Sequence, residues 1–445
     1  MFLLVAKEAS STTARFFAAA IREQNPPGAA VLRIDQRDVP FGAWTEVTPG
    51  GVSIRTADVL VTGLAPGRDY PAELLVGGIS AERASVKTHP QSLPRFGDPP
   101  FRVLFGSCFC LEKDEEGTAG RRVVQLKPAA KPDMNILCGD QVYLDAPWYD
   151  FTLNLFKKAE IERRTAEKYA RAWSPDANGW GFAGILERGP NYFLADDHEL
   201  WNNAPFKSFA LNTFSAGGRR DWQRVASELY GLFQSASSTR EFSVGQLSFY
   251  LADTRINRGD DLAGAFMAPH DLADLRRWVQ HLAGPGVLVI GQPLFTKPAK
   301  SFWKPEILTD YGLPDYEAQY QELVQALVAT SHSIIVLTGD VHFGRVSWCP
   351  LPNGAEIIEI ISSPLSLVDA SAGRKWERPP ETFPYVDMPG APARTIITAG
   401  ALQEWVDHFL TLDFSATGNV VSLAVDFYAI DSTAPARRVF TTNLI

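Results

Sequence analysis

Six segments with the pattern of short buried strands end in side chains that could bind a metal ion or a phosphate group. The polar positions are Cys108, Asp140, Asp196 to His198, Asp253 with Arg255, Gln292, and Asp340 with His342. One aspartate after a strand is commonly a helix cap or a turn residue. In open α/β sheets, however, the ligand crevice lies just beyond the carboxyl ends of the strands. Six polar strand ends therefore predict one convergent site.

The side chains at these strand ends are mostly oxygen donors, which indicates hard cations. Of the seven histidines in the chain, only His198 and His342 follow predicted strands, so a histidine-rich dizinc centre is disfavoured. Carboxylates suit Ca²⁺, Mg²⁺ or Mn²⁺, whereas a thiolate from Cys108 and a phenolate from Tyr143 would suit ferric iron. On chemistry alone, Tyr143 could equally be a packing residue. Because clustered carboxylates repel one another unless cations neutralise them, we expect a metal centre.

A metal centre of this kind favours phosphate chemistry. Metal ions held about 3.5–4 Å apart clamp a phosphate, activate a water and stabilise the attacking and leaving oxygens. The guanidinium of Arg255 would form bidentate hydrogen bonds to the phosphate oxygens, or it would form a structural salt bridge. Asn202 or Asn203 would add a neutral ligand, or the pair would be a simple turn. His342 would bind a metal or protonate the leaving alkoxide. We also predict a catalytic role for His198.

The elements that must position these residues indicate an α/β domain after a small β domain. Beyond residue 100, short apolar runs alternate with helical patterns, such as those predicted around residues 270–282 and 316–328. Before it, short strands separated by Gly and Pro predict an antiparallel sandwich, with "TTARFFAAAIRE" taken as a strand. "VTGLAPGRDYPAEL" resembles a fibronectin type III corner. Four prolines within residues 87–101 mark a break, so we predict domains at 1–95 and 96–445.

Composition narrows the function classes. The 445 residues are 45% hydrophobic and 21% charged, as in ordinary globular proteins. A formal net charge of −9 argues against a stable nucleic-acid complex. Four cysteines in so long a chain are no disulfide framework. No apolar stretch approaches the ~20 residues of a membrane span, and the N-terminus is a poor secretory signal. We therefore expect a cytoplasmic protein, with an exported, trimmed form left open.

Several segments, in this order along the chain, resemble the alkaline phosphatase D (PhoD-like) family of metallophosphoesterases. They are "FGSCF", "GDQVYLD", "ADDHELWNN", "LADTR", "TGDVHFG" and "EIISSPLS". Together they span most of residues 100 to 370, and the fibronectin-like first unit is also similar to the family's N-terminal domain. Each segment alone is weak, but the ordered set is specific. The resemblance implies a calcineurin-like α/β/β/α sandwich behind a fibronectin III-like β-sandwich.

The resemblance also implies a set of ligands. By motif, Cys108, Asp140, Tyr143 and Asp340 would surround a ferric ion, and Asp140 would bridge to calcium, with Mn²⁺ or Zn²⁺ as other options. The calcium side would take Asp197 and an asparagine of "WNN", for which we choose Asn202. Arg255 and His342 would face the phosphate. Because strand side chains alternate, we expect only one of Asp196 and Asp197 to point inward.

The chain departs from the family pattern in two places, and the function keeps rivals. Ala195 stands where many members have Trp, which concerns packing, and the twin-Arg export signal is absent. The primary hypothesis is phosphomonoester hydrolysis of a small-molecule substrate by metal-activated water. The enzyme alternative is a phosphodiesterase acting on nucleotide or phospholipid diesters with the same metals. A binding protein with a vestigial metal site is the rival from another class.

Overall fold

The N-terminal unit is a sandwich of two antiparallel sheets. The computed structural model describes residues 1–23, 27–145, 158–174, 181–207, 213–299, 310–367 and 377–445. One sheet has the order β1-β2-β6-β5 and the other contains β8-β7-β3-β4. Their bounds are β1 (Phe2–Ala9), β2 (Thr13–Ile21), β3 (Ala30–Ile34), β4 (Arg37–Pro40), β5 (Thr45–Val47), β6 (Ile54–Thr62), β7 (Asp69–Val76) and β8 (Ile79–Lys87).

The alanine-rich segment of this sandwich is a strand, as predicted. All nine residues of β2 pair with β6, and β1 pairs along its other edge. Phe16 and Ala18 are fully buried in the core of the sandwich, together with Leu32 and Leu74 from the facing sheet. Small alanines on β2 let the sheets approach closely, so tertiary packing overrides their helix propensity.

The second unit contains two larger sheets packed face to face. The first has the order β12-β10-β9-β22-β23-β24 and the second β13-β14-β15-β16-β18-β17-β21. Bounds in the first are β9 (Phe101–Gly106), β10 (Met134–Cys138), β12 (Asn191–Leu194), β22 (His408–Thr417), β23 (Val420–Ala429) and β24 (Arg437–Leu444). Bounds in the second are β13 (Thr239–Val244), β14 (Leu247–Ala252), β15 (Gly286–Val289), β16 (Ile334–Thr338), β17 (Gly344–Pro350), β18 (Glu356–Ile361) and β21 (Ile397–Glu404). A short hairpin joins β19 (Thr382–Phe383) to β20 (Arg394–Thr395).

Helices cover the outer face of each sheet. Residues of α1 (Thr118–Val124), α2 (Lys158–Trp173), α3 (Phe182–Leu186) and α4 (Ala216–Phe233) share an apolar core with β9, β10 and β12. On the other side, α5 (Pro269–Gln280) and α6 (Glu317–Val328) share one with β14, β15 and β16. The layers are therefore α/β/β/α behind an N-terminal sandwich, and the predicted fold class is confirmed.

The two units share an extensive contact. The short strand β11 (Arg188–Gly189) of the second unit pairs in parallel with β8 of the sandwich. Phe17 of β2 makes an edge contact with Phe233 of α4, with ring centroids 6.0 Å apart. Leu3 and Val5 enter the same apolar core as α2 and α4. The sandwich thus shares part of its hydrophobic core with the second unit. The predicted boundary at 95/96 falls between β8 and β9.

Candidate metal centre

The six predicted strands all exist, but they are divided between the two sheets. β9, β10 and β12 run parallel in one sheet, and β14, β15 and β16 run parallel in the other. The crevice therefore lies where the carboxyl ends of two packed sheets meet, as the predicted α/β/β/α sandwich requires. Gly339 permits this approach. A Cβ at that position would lie 2.5 Å from both the Cys138 carbonyl oxygen and Ser107 Cβ.

Four carboxylates converge at this edge. Asp140, Asp196, Asp197 and Asp340 each place an oxygen within 4.8 Å of the others. Burial, followed by repulsion from neighbouring carboxylates, raises the pKa of Asp140 and Asp340 well above the usual value. The pKa of Asp196 rises to about 6, again chiefly through burial. Among the described residues, Asp196 Oδ2 and Asp197 Oδ1 are buried without a hydrogen-bond partner. Such a donor set fits cations and is costly without them.

The expectation that only one of Asp196 and Asp197 points inward is wrong. Strand β12 ends at Leu194, and Asp197 already begins a 3₁₀ turn that runs to Glu199. Strand alternation therefore no longer applies, and both carboxylates reach the cluster. Asp196 Oδ1 is 2.6 Å from Arg255 Nε, whereas Asp197 Oδ2 accepts the backbone N–H of Asn203.

Glu199 holds the ends of two strands together by hydrogen bonds, a role that the sequence did not predict. Its fully buried carboxylate accepts the backbone N–H groups of Asp140 (2.7 Å), Gln141 (2.6 Å) and Asp196 (2.9 Å). Gln234 of the turn after α4 donates to it as well, at 3.2 Å. Burial raises its pKa to about 7. Glu199 thus fixes the ends of β10 and β12 in one geometry.

His198 lies beside the carboxylate cluster. One ring nitrogen can join Asp140 and Asp197 as a third ligand atom, since the three lie within 4.8 Å of one another. The ring stacks on Tyr143 with centroids 4.1 Å apart. Its Nδ1 lies 2.7 Å from Asp145 Oδ1. Asp145 lies in a turn after β10, and its buried carboxylate holds this histidine.

Cys108, Tyr143 and His342 form a second part of the site. Cys108 Sγ lies 3.3 Å from Asp140 Oδ2 and 3.1 Å from Ser363 Oγ. The Tyr143 hydroxyl is 3.4 Å from His342 Nε2. Burial and then neighbouring acidic groups raise the pKa of the Cys108 thiol and the Tyr143 phenol well above their usual values. A bound cation would counter this, because it favours the deprotonated ligand.

Arg255 is fully buried, and hydrogen bonds to carboxylates orient its guanidinium group. Besides the Asp196 contact, its Nη1 donates to the Ala204 carbonyl at 2.9 Å and to Asp310 at 3.2 Å. Its Nη2 is 4.0 Å from Asp340 Oδ2 and has no hydrogen-bond partner in the described part of the chain. Two nitrogens thus make structural bonds, as the salt-bridge alternative expected, and Nη2 is left beside the cluster, while the phosphate-binding role stays a prediction.

The remaining predicted positions have different roles. Asn202 is exposed, and its backbone N–H donates to Asp145. Asp253 is a turn residue whose Oδ1 accepts the N–H groups of Arg255 and Ile256, each at 2.8 Å. Gln292 donates to Asp340 Oδ2 at 3.2 Å and to Asp310 Oδ2 at 2.9 Å. Asp310 was missed because no strand was predicted before it.

The backbone of the site is strained. Five residues here have positive φ without being glycine, out of nine such residues in the described ranges: Cys108 (57°), Asp140 (58°), Asn203 (63°), Asp340 (69°) and His342 (51°). Each such conformation costs about 1–3 kcal/mol and persists only where its surroundings enforce it. A concentration of this kind is typical of functional sites.

Comparison with known proteins shows a likeness of fold. No family model matches the chain, and no curated protein matches it. A solved structure of PhoD aligns with 99% of this chain and 92% of its own, with a TM-score of 0.62 and 16% identity. The purple acid phosphatase PPD1 from yellow lupin seeds aligns with 98% of this chain and 73% of its own, with a TM-score of 0.56 and 12% identity. The resemblance to PhoD-like metallophosphoesterases is thus confirmed at the level of the fold.

The structure also bears on the membrane prediction. In the part of the chain that is described, no helix combines the length and apolar character that a bilayer span requires.

All four cysteines are buried and free, so none forms a disulfide.

Proposed function

We propose that this chain, which folds as a PhoD-like metallophosphoesterase, is a metal-dependent hydrolase of phosphomonoesters. The observation that carries the proposal is the convergence of Asp140, Asp196, Asp197 and Asp340 within 4.8 Å, with a buried Arg255 beside them. The cluster supplies carboxylates for cations. The Nη2 group of Arg255 supplies a donor for a phosphate oxygen.

The donor set suggests where the metals would be held. Cys108, Tyr143 and Asp340 would bind ferric iron, with His342 close to Tyr143. Asp197 and an asparagine, either Asn202 or Asn203, would bind calcium. Asp140 would bridge the two positions, because it contacts Cys108 on one side and belongs to the Asp197 cluster on the other. Bound metals would supply an activated water and neutralise charge on the phosphate.

The chain's own residues would orient the ester and move protons. Asp196 and Asp310 hold the Arg255 guanidinium at two nitrogens, so its remaining donor is directed without a further entropy cost. His198, held by Asp145, would keep a proton near the phosphate. His342, whose backbone N–H donates to Ser363 at 2.9 Å, would protonate the leaving oxygen or bind the iron.

The test combines metal analysis with two substrates. The purified chain is analysed for bound elements and assayed with p-nitrophenyl phosphate beside bis-p-nitrophenyl phosphate. Iron near one equivalent, dependence on calcium and turnover of the monoester are expected. Preference for the bis ester would replace the proposal with the phosphodiesterase alternative. Absence of metal together with no turnover of either ester would refute both and favour a binding role.

A further inference from the structure

A cleft leaves the carboxylate cluster along the second sheet. It has a volume of about 300 Å³, and its inner end is formed by Gln292 and Asp310. Gln292 Nε2 lies 3.2 Å from Asp340 Oδ2, so the cleft begins at the predicted metal centre. Lys297 and Arg378 also line the cleft, and because both are exposed we take their side as its outer end. We name it the Gln292 cleft.

The floor of the Gln292 cleft is held rigidly. The backbone N–H of Phe295 donates to Glu359 Oε2 at 2.7 Å, and Glu359 forms a fully buried ion pair with Arg345. On the rim, Asp315 Oδ2 accepts the N–H groups of Ala299 and Gly312, at 3.0 and 2.8 Å. A cleft fixed in this way exists before a ligand binds, which lowers the entropy cost of binding.

Charge differs between the two ends of the cleft. At the inner end, the Asp310 carboxylate is engaged by Arg255 and by Gln292. At the outer end, Lys297 and Arg378 are exposed, and neither side chain has an ion-pair partner among the residues that the structure describes. Two exposed cations in the lining of one cleft favour an anion there, against the net charge of −9 of the whole chain.

Size and lining restrict the ligand further. A volume of about 300 Å³ is at the lower end of the range for small-molecule pockets. Pro293, Pro298 and Pro379 provide apolar walls. This suits a compact organic group better than a long acyl chain or a polynucleotide.

We propose that the Gln292 cleft is a specificity subsite for the organic group of the phosphoester, and that it selects compact groups carrying a second anion. The inference rests on the proposed hydrolase function, because the scissile phosphate would occupy the carboxylate cluster. The second anion is a carboxylate or another phosphate, held by Lys297 and Arg378 at the outer end.

The experiment uses esters matched in shape. Rates are measured for 4-carboxyphenyl phosphate, its neutral analogue 4-carbamoylphenyl phosphate, and 1,4-phenylene bisphosphate. In the double variant Lys297→Gln/Arg378→Gln, kcat/KM should fall about fivefold for the anionic esters and less than twofold for the amide. The preference should also weaken as salt is raised. Comparing variants cancels the intrinsic reactivity of each leaving group, and the two anionic arms distinguish a carboxylate from a phosphate.

Controls separate the subsite from general effects. The double variant Lys127→Gln/Arg220→Gln removes two exposed cations that do not line the cleft, and it should leave all ratios unchanged. Calorimetric binding of 4-carboxybenzylphosphonate against benzylphosphonate gives a readout without turnover. Equal losses for all esters, or no loss in the cleft variant, would overturn the subsite while leaving the hydrolase intact. No turnover of any ester and no phosphonate binding would overturn both.

Discussion

The carboxylate of Asp145 lies 2.7 Å from Nδ1 of His198, while its second oxygen accepts the backbone N–H of Asn202 at 2.8 Å. Burial alone would lower the pKa of His198, but Asp145 and Asp197 raise it well above its usual value. One buried carboxylate therefore fixes both the ring orientation of His198 and the start of the loop after it.

Replacing Asp145 tests this positioning role. Asp145→Asn should keep the bond to Asn202 but weaken the hold on His198, so kcat should fall about 10- to 100-fold. Bound metal should stay near the wild-type amount, since Asp145 is outside the carboxylate cluster. Steady-state kinetics and elemental analysis on the same sample measure both. Unchanged kcat would show that the Asp145–His198 pair is only structural.

Asp140→Asn tests the bridging carboxylate. The variant should lose bound metal and activity, because a neutral amide is a poorer cation ligand than a carboxylate and lacks the negative charge that would bridge two cations. The fold should persist, since removing a charge from the buried cluster relieves the burial cost and the repulsion that together raise the pKa of Asp140. Circular dichroism and elemental analysis report each outcome. Asp98→Asn, at an exposed position, is the matched control, and wild-type turnover in Asp140→Asn would refute the assignment.

Arg255→Lys separates charge from geometry. Lysine retains the positive charge but cannot bond Asp196 and Asp310 at once and still present a third donor. We expect kcat/KM to fall about 10- to 100-fold with metal content unchanged. Arg258→Lys is a close comparison, since Arg258 is also buried and bonds the Thr254 and Tyr311 carbonyls. That control should lose stability and keep kcat/KM; similar kinetic losses in both would mean that Arg255 acts through folding.

Glu199→Gln should affect stability and metal binding together. The amide exchanges one carboxylate oxygen for an NH₂ group that faces backbone N–H donors. We expect the free energy of unfolding to fall by about 2–4 kcal/mol and metal affinity to weaken, because the ends of β10 and β12 are no longer held. Urea unfolding and metal titration measure the two effects. Glu241→Gln, at an exposed position, should change neither; if Glu199→Gln also changed neither, the fastening role would be wrong.

The burial of His89 at the junction of the two units predicts that the folded protein loses stability in acid. It contacts Tyr192 at 3.5 Å and lies among Phe101 and Phe242, and burial lowers its pKa to about 4. The unfolded chain therefore binds a proton below about pH 6.5 that the folded chain takes up only near pH 4. Its contribution to stability is fully present above pH 6.5 and is lost as the pH falls to 4.

The size of that loss can be measured. It is on the order of 3 kcal/mol for a fully buried imidazole. Urea unfolding at several pH values should give a shallower dependence between pH 4 and 6.5 for His89→Gln than for the wild type. Parallel curves for the two proteins would show that His89 does not titrate in this way. His281→Gln, on the exposed end of α5, should match the wild-type slope.

The sequence by itself determined where strands end and which side chains follow them. Apolar runs that stop at Asp140, Asp196 and Asp340 are local patterns, and burial of a strand is encoded by its own residues. The same holds for β2, where the sandwich interpretation of "TTARFFAAAIRE" was correct, and for the helices α5 and α6. Local patterns of this kind were sufficient to predict an α/β domain and a carboxylate crevice, whereas the α/β/β/α layering was implied by the family resemblance.

Only the tertiary structure decided how these ends meet. The division of six strands between two sheets depends on face-to-face packing, which no local period encodes. The turn that brings Asp196 and Asp197 to one side is held by Glu199, whose partners lie up to 59 residues away. Asp310 and the Gln292 cleft likewise arise from segments distant in the chain. Periodicity records which face of an element is buried, but the partners that a buried polar group must find are set by the whole fold.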